Sequence, residues 1–279
     1  MKTTLHFFSF FVGLIVFFAC SKDLDDFLLD ENGHPVDNEH VKSISCNGIT
    51  IRKFRYDSSG KLIEVGSTFS YSRYTYDGKG LLVKAESAFD ESLLSSYYDP
   101  NHPPRAEIMT AANSTITSTG SYKYDNQGRL AKIEFYASKG GDHFIFTSLR
   151  TFEYEGDNIR RENLCDEKGN ITQYYEYTYD KKGNRSKETY NVCIFDGTPS
   201  NPKLYYERTY KYDSFKNPFR ILNLASPGFY TSANNMIEMK TVWYTDDPRT
   251  ETTKQSFEYN NNGYPSMMMY DGGVEVYNY

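Results

Sequence analysis

From Cys46 onward the chain alternates short runs rich in Tyr, Phe, Ile, Val and Thr with clusters of Gly, Pro, Asn and Asp. Strand side chains alternate with period two, so this pattern predicts β-strands separated by tight turns. Strands are expected near 49–56, 61–69, 71–76, 81–89, 116–124, 129–137, 143–154, 159–165 and 171–179. Further strands are expected near 184–194, 204–212, 236–244, 251–259, 264–270 and 274–279. No stretch has a helical period of useful length. The expected fold is all-β: a long antiparallel meander of repeated hairpins, about 14–15 strands, forming a curved sheet or half-barrel.

One unit recurs, Tyr-x-Tyr-Asp-x-x-Gly-x-Leu, clearest at Ser121–Ile133. Its relatives start at Phe54, Tyr74 and Tyr177, with weaker copies at Phe152, Tyr210 and Phe257. Asp opening a type I turn and Gly in the left-handed position closing it give a three-residue hairpin with a bulge at the Gly. The structural turn residues are therefore Asp57, Gly60, Asp77, Gly80, Asp125, Gly128, Asp180 and Gly183. This register puts Tyr56 opposite Leu62, Tyr76 opposite Leu82, Tyr124 opposite Leu130, and Asp125 opposite Arg129. Both tyrosines of Tyr-x-Tyr share one face, with Thr, Lys or Glu between them on the other. They read as core-closing rings before they read as an aromatic platform for a sugar or peptide.

In a meander every second connection lies at the same end. The turns at Asp57, Asp77, Asp125, Glu155 and Asp180 share one end. Asp213 and Asn260 join them if 213–235 is one connection, as Pro218, Pro227 and Gly228 suggest. The other end then carries the long connections, 90–115, 195–203 and 245–250. Loops carry function more often than the scaffold beneath them, and Tyr97, Tyr98 and His102 are the candidate ligand contacts there. Cys165 and Cys193 fall two strands apart, too far for a disulfide.

The N-terminus gives an address. Lys2, an apolar run from Leu5 to Phe18 and then Ala19-Cys20 describe a secretory signal rather than a spanning helix. Phe17-Phe18-Ala19-Cys20 resembles a lipobox, which would make Cys20 the lipidated first residue of the mature protein. The expected divisions are a signal peptide at 1–19, an acidic flexible tether at 20–42, and a single all-β domain at 43–279. Ser21–Asp26 resembles the Lys-plus-acidic export tag of surface lipoproteins. The chain carries −6. Between Cys20 and His40 one Lys stands against seven carboxylates, so the body is nearly neutral and offers no nucleic-acid surface.

Catalytic and metal motifs are missing from the sequence: no Gly-x-Ser-x-Gly, His-Glu-x-x-His, P-loop or spaced His/Cys set occurs. No cofactor is expected. The repeats resemble the YD repeats of Rhs-type proteins. The chain resembles more closely a domain of unknown function in lipoproteins of Gram-negative gut anaerobes, on Tyr210–Phe219 and Tyr259–Pro265. That resemblance implies a meander curled into a half-barrel or shell, and no known activity. The expected function is a non-catalytic, lipid-anchored outer-membrane protein, at the cell surface or on the periplasmic face, binding a glycan or a protein. An envelope scaffold docking through an edge strand at 274–279 is the alternative. A glycoside hydrolase would need two carboxylates converging in a pocket. Tyr277-Asn278-Tyr279 resembles the ending of a membrane barrel, but Lys123, Glu134, Lys187 and Glu188 spoil a lipid-facing stripe.

Overall fold

The computed structural model describes residues 40–46, 48–92, 107–140, 143–193, 201–220, 232–270 and 273–279. Sixteen strands run through them. They are β1 (Ser43–Cys46), β2 (Ile49–Tyr56), β3 (Leu62–Ser67), β4 (Ser70–Tyr76), β5 (Leu82–Phe89), β6 (Ser118–Tyr124), β7 (Leu130–Ser138) and β8 (Phe144–Glu155). The second half holds β9 (Asn158–Cys165), β10 (Ile171–Tyr179), β11 (Arg185–Val192), β12 (Lys203–Lys216), β13 (Asn234–Trp243), β14 (Arg249–Tyr259), β15 (Pro265–Tyr270) and β16 (Gly273–Asn278). Each pairs antiparallel with its neighbours, and β16 pairs with β1, so the sheet is a closed barrel. This corrects the curved sheet or half-barrel of 14–15 strands. The unforeseen strand is β1, which supplies the closing partner. It also corrects the edge strand at 274–279, because β16 is paired on both sides.

The turns follow from the repeat. Asp57, Asp77, Asp125 and Asp180 each accept the N–H groups two and four residues on, at 2.8–3.0 Å. The Gly that closes each turn has φ between 79 and 82°, a region a side chain rarely adopts. Tyr56 faces Leu62, Tyr76 faces Leu82 and Tyr124 faces Leu130.

One residue further from each turn the register shifts. Arg55 faces Glu64, skipping Ile63, and the same shift recurs in β4–β5, β6–β7, β8–β9, β10–β11, β12–β13 and β14–β15. A bulge adds local twist. Repeating it at the same height in every hairpin gives the uniform curvature a barrel needs. It also sets inward residues three apart on each return strand: Leu62 and Val65, Leu82 and Ala85, Leu130 and Ile133.

Where neighbouring hairpins splay at the turn end, a side chain closes the gap. The hydroxyls of Tyr56, Tyr76, Tyr124, Tyr154, Tyr179, Tyr212 and Tyr279 donate to the carbonyls of Val41, Leu62, Leu82, Leu130, Ile159, Arg185 and Pro265, at 2.7–2.9 Å. At the remaining junction Gln255 Nε2 donates to the Met236 carbonyl, and Tyr259 instead donates to Asp213. The termini fit the same scheme. Tyr277 and Tyr279 take the Tyr-x-Tyr positions, and Val41 and Ile44 the two inward positions, so β16 and β1 form an eighth hairpin cut at its turn. Val41, which the sequence pattern leaves to the tether, is 2% exposed. Removing one hydroxyl by Tyr124→Phe orphans a half-buried carbonyl and should cost about 1 kcal/mol, read as a lowered midpoint in urea. An unchanged midpoint would show that water replaces the bond.

Alternation and register sort the inward residues of the outgoing strands into tiers. Nearest the turns lie eight tyrosines: Tyr56, Tyr76, Tyr124, Tyr154, Tyr179, Tyr212, Tyr259 and Tyr279. Next comes a ring of Phe54, Tyr74, Tyr122, Phe152, Tyr177, Tyr210, Phe257 and Tyr277, five of them buried. Phe219, from the β12–β13 connection, reaches Phe54 and Tyr277 with ring centroids at 6.1 and 5.8 Å. The third tier is polar: Arg52, Ser72, Gly120, Arg150, Tyr175, Arg208, Gln255 and Glu275.

The outer face is charged. Arg73 and Lys84 meet Glu86, Lys123 and Lys132 meet Glu134, Lys187 meets Glu207 and Lys211 meets Glu238, at 2.7–2.9 Å. The two ammonium groups push the Glu134 carboxyl down to about 2. Exposed pairs add little stability, but each such charge facing lipid would cost roughly 2–4 kcal/mol at mid-membrane. Residues 107–110 also pack on the outside of β3. The Met109 N–H bonds the Ser67 carbonyl at 2.8 Å. A methyl group on Gly66 would lie 2.3 Å from the Met109 carbonyl oxygen, which is why that position is Gly. This outer surface is suited to water rather than to lipid.

Candidate functional site

The repeat's apolar rule fails in one sector. Where other return strands place apolar side chains, β9 places Glu162, and β11 places Arg185 and Glu188. All three are nearly excluded from water, at 4, 6 and 4% exposure. Buried charges persist only when paired and hydrogen-bonded, and these are. Glu162 accepts Tyr177 Oη at 2.8 Å and pairs with Arg150 Nη1 at 3.1 Å. Glu188 pairs with Arg185 at 3.0 Å, accepts Tyr206 Oη at 2.9 Å, and meets Arg208 Nη1 at 3.4 Å. Arg185 lies between the rings of Tyr177 and Tyr210, at 5.1 and 5.0 Å. Burial pushes the Glu162 carboxyl up, against the pull of Arg150 and the Tyr177 hydroxyl.

The vertical order gives this cluster its meaning. Arg185 lies in the turn-end tier. Glu162 and Glu188 sit in the aromatic middle ring, and Arg150 and Arg208 lie above them in the polar tier. The two carboxylates therefore hold two guanidinium groups from below and turn them toward the loop-rich end. Two carboxylates do converge, as a hydrolase would need, but both are saturated and sealed in the middle ring with Tyr177 between them.

Above that ring a row of aromatic side chains lines one side of the interior. Cross-strand register aligns Tyr175, Tyr190, Tyr206 and Trp243 on four successive strands. Their centroids step by 4.8, 5.1 and 5.2 Å. A register shift in β11–β12 turns Tyr205 to the same side, at 5.9 Å and 87° to Trp243, and leaves it 39% exposed. Arg249 covers Trp243 at 5.2 Å and pairs with Glu251 at 2.7 Å. Arg249 holds the Glu251 carboxyl below its usual range. The β4–β6 arc presents only small groups at the corresponding height: Ser72 and Ser87, their hydroxyls 2.9 Å apart, with Ser118 and Gly120. The loop end of the interior, called the cup below, thus has one aromatic and cationic side and one small, hydroxylated side.

Tyr97, Tyr98 and His102 lie outside the described residues, as does Cys20. The connection that carries the first three does leave from the loop end. Asp57, Asp77, Asp125 and Asp180 and their glycines lie at the opposite end. Cys165 and Cys193 are buried free thiols, one at the end of β9 and one just after β11. Among the described residues no three His, Cys, Asp or Glu side chains converge as a metal site would require. The sequence signal that marks the cup is the replacement of repeat apolar positions by Glu162, Arg185 and Glu188. Reading the turns rather than the return strands passes over it.

No family model matches the chain, and no curated protein matches it. Among solved structures it is similar to a porin-like protein from Bacteroides vulgatus, at 13% identity and a TM-score of 0.49, over 86% of this chain and 98% of that one. It is similar to a porin-like protein from Bacteroides uniformis at 11% identity and a TM-score of 0.36, over 85% and 97%. A TcdB2–TccC3 structure matches at 14% identity and a TM-score of 0.30, over 78% of this chain and 10% of that one. Likeness at this level does not carry a function across, and the barrel assignment rests on the strand pairing.

Proposed function

We propose that this is a non-catalytic, lipid-anchored barrel of the outer membrane that binds an extracellular ligand in its loop-end cup. The observation that supports it most is the tier order: an aromatic ring across the middle, with partly exposed Arg150, Arg208 and Tyr205 above. A sealed middle argues against a pore, and the charged outer face argues against a spanning barrel. The chain enters β1 at the turn end, so a lipid on Cys20 would place that end toward the membrane and the cup away from it. An envelope scaffold is the second reading, and it loses the edge strand on which it relied.

Protease treatment of intact cells tests this. The protein should be cleaved while a periplasmic control survives, and Cys20→Ser should release it from the membrane fraction. Full protection on intact cells would place it on the periplasmic side and favour the scaffold. Retention of Cys20→Ser in the membrane would remove the lipid anchor.

A further inference from the structure

Two arginines of the polar tier are answered by a carboxylate on an adjacent strand, Arg150 by Glu162 and Arg208 by Glu188. The tier holds one more acid, Glu275 on β16, and it has no such partner. Glu275 is 7% exposed. Among the described residues its carboxyl accepts no hydrogen bond and stands in no ion pair at contact distance. The cation that acts on it, Arg52, is on β2, with β1 between them. On that strand Ile44 faces Tyr277 on one side and Arg52 on the other, and it is 2% exposed. The element between the two ionisable groups therefore presents an apolar side chain. The other titratable groups nearby are ordinarily uncharged at neutral pH. They are Tyr277 on β16, Tyr270 on β15, and Cys46 on β1, one residue beyond the Ser45–Val276 pair. From β14 the tier receives only the neutral Gln255. Burial pushes the Glu275 carboxyl up, and Arg52 pulls it only partly back.

A neutral carboxyl sits in such surroundings at modest cost, whereas an ionised one without a partner is strongly disfavoured. The place where this charge would develop is the barrel's closure. β16 joins β1 through three residue pairs, Ser43–Asn278, Ile44–Tyr277 and Ser45–Val276, and Ile44, Met268 and Tyr277 share one buried cluster. We propose that Glu275 makes the β16–β1–β2 seam a pH-sensitive closure, tight while Glu275 is protonated and loosened when it loses its proton. The sign follows from linkage. A carboxyl held above its ordinary value contributes stability that is present below that value and is lost as pH rises through the folded-state value. Carboxylates held low by cations, such as Glu86 and Glu134, work in the opposite direction, and Glu162 works in the same one. The difference between the parent and a variant at position 275 isolates the seam.

The test is urea denaturation of the full chain and of Glu275→Gln, in steps from about pH 5 to about pH 8. Gln keeps the shape of the side chain and removes its titration. The parent should lose stability relative to Glu275→Gln as pH rises, by roughly tenfold in the folding equilibrium per pH unit between the ordinary and the folded-state value. Amide exchange at Ile44 and Tyr277, corrected for its intrinsic pH dependence, should quicken over the same range in the parent and stay level in Glu275→Gln. Arg52→Gln keeps the test open should Glu275→Gln fail to fold. It removes the cation that favours ionisation, so its loss of stability with rising pH should exceed the parent's. A gap between parent and Glu275→Gln that does not change with pH overturns the proposal. So does a parent that gains on Glu275→Gln as pH rises, because Glu275 would then be paired with Arg52 when charged. With Arg52→Gln, a loss no greater than the parent's overturns it as well.

Discussion

Deletion of Val274–Tyr279 is expected to abolish the cooperative thermal transition. The segment is most of β16, which holds ladders with β15 and β1 at once. Removing it opens the barrel and uncovers Ile44 and Met268, both buried beside Tyr277. Loss of one buried aromatic alone costs about 3–5 kcal/mol, and the broken ladder bonds add roughly 1 kcal/mol each. Together these approach the roughly 5–15 kcal/mol that holds a typical domain folded. Circular dichroism should show a broad, non-cooperative melt, and the protein should bind a hydrophobic dye. Val276→Lys is the control, because that side chain faces outward and is 37% exposed. It should melt as the parent does. A truncated protein that melts sharply within a few degrees of the parent would mean that β16 does not close the barrel. The same truncation would remove a docking edge under the scaffold reading, but it would then leave the fold intact.

Much of this architecture is visible in the chain. The Asp-x-x-Gly turns, the Tyr-to-Leu register and the allocation of connections to two ends all follow from local chemistry. The bulge beyond each turn is visible too, in the spacing of Leu62 to Val65 and Leu130 to Ile133. A plain strand would set inward residues two apart, so a spacing of three marks an extra residue. Closure is harder to read, because it depends on an eighth hairpin whose halves lie at opposite ends of the sequence. Tyr277-Asn278-Tyr279 is a Tyr-x-Tyr without its Asp-x-x-Gly, and Val41 and Ile44 are the return strand without a turn before them. They are the missing unit of the repeat.

The site is legible only by exception. A repeat states what each position should be, so a departure whose charges the structure then pairs is a candidate functional signal. Glu162, Arg185 and Glu188 are such departures. The choice of Tyr97, Tyr98 and His102 rests on loop length and exposed rings, which identify the right end of the barrel and say nothing of its interior. The inward tyrosines divide by height. Those next to the turns, Tyr259 apart, serve the backbone through their hydroxyls, whereas Tyr175, Tyr190 and Tyr205 line the cup.

Glu188→Ala should be among the most damaging single substitutions in the barrel, at about 3–5 kcal/mol, because it removes one partner of a buried ionic network. Arg185 would be left charged and almost water-free, Arg208 would lose its support, and the Tyr206 hydroxyl would lose its acceptor. The informative comparison is the double variant Arg185→Leu with Glu188→Ile, which restores the Leu-x-x-Ile spacing of Leu130 and Ile133. Replacing a buried ion pair by well-packed apolar groups is often neutral or stabilising, by about 1–4 kcal/mol. The double variant should therefore recover most of the stability lost in Glu188→Ala, measured by urea denaturation. It should not recover ligand binding, since Arg208 would have no carboxylate beneath it to fix its direction. If the double variant is as unstable as Glu188→Ala, the charges are part of the barrel's own core and the case for a site built on them falls. If it is stable and still binds as the parent does, Arg208 needs no positioning from Glu188. A stable barrel that has lost its ligand would show that this sector gives up the apolar packing of its neighbours in order to aim two arginines into the cup.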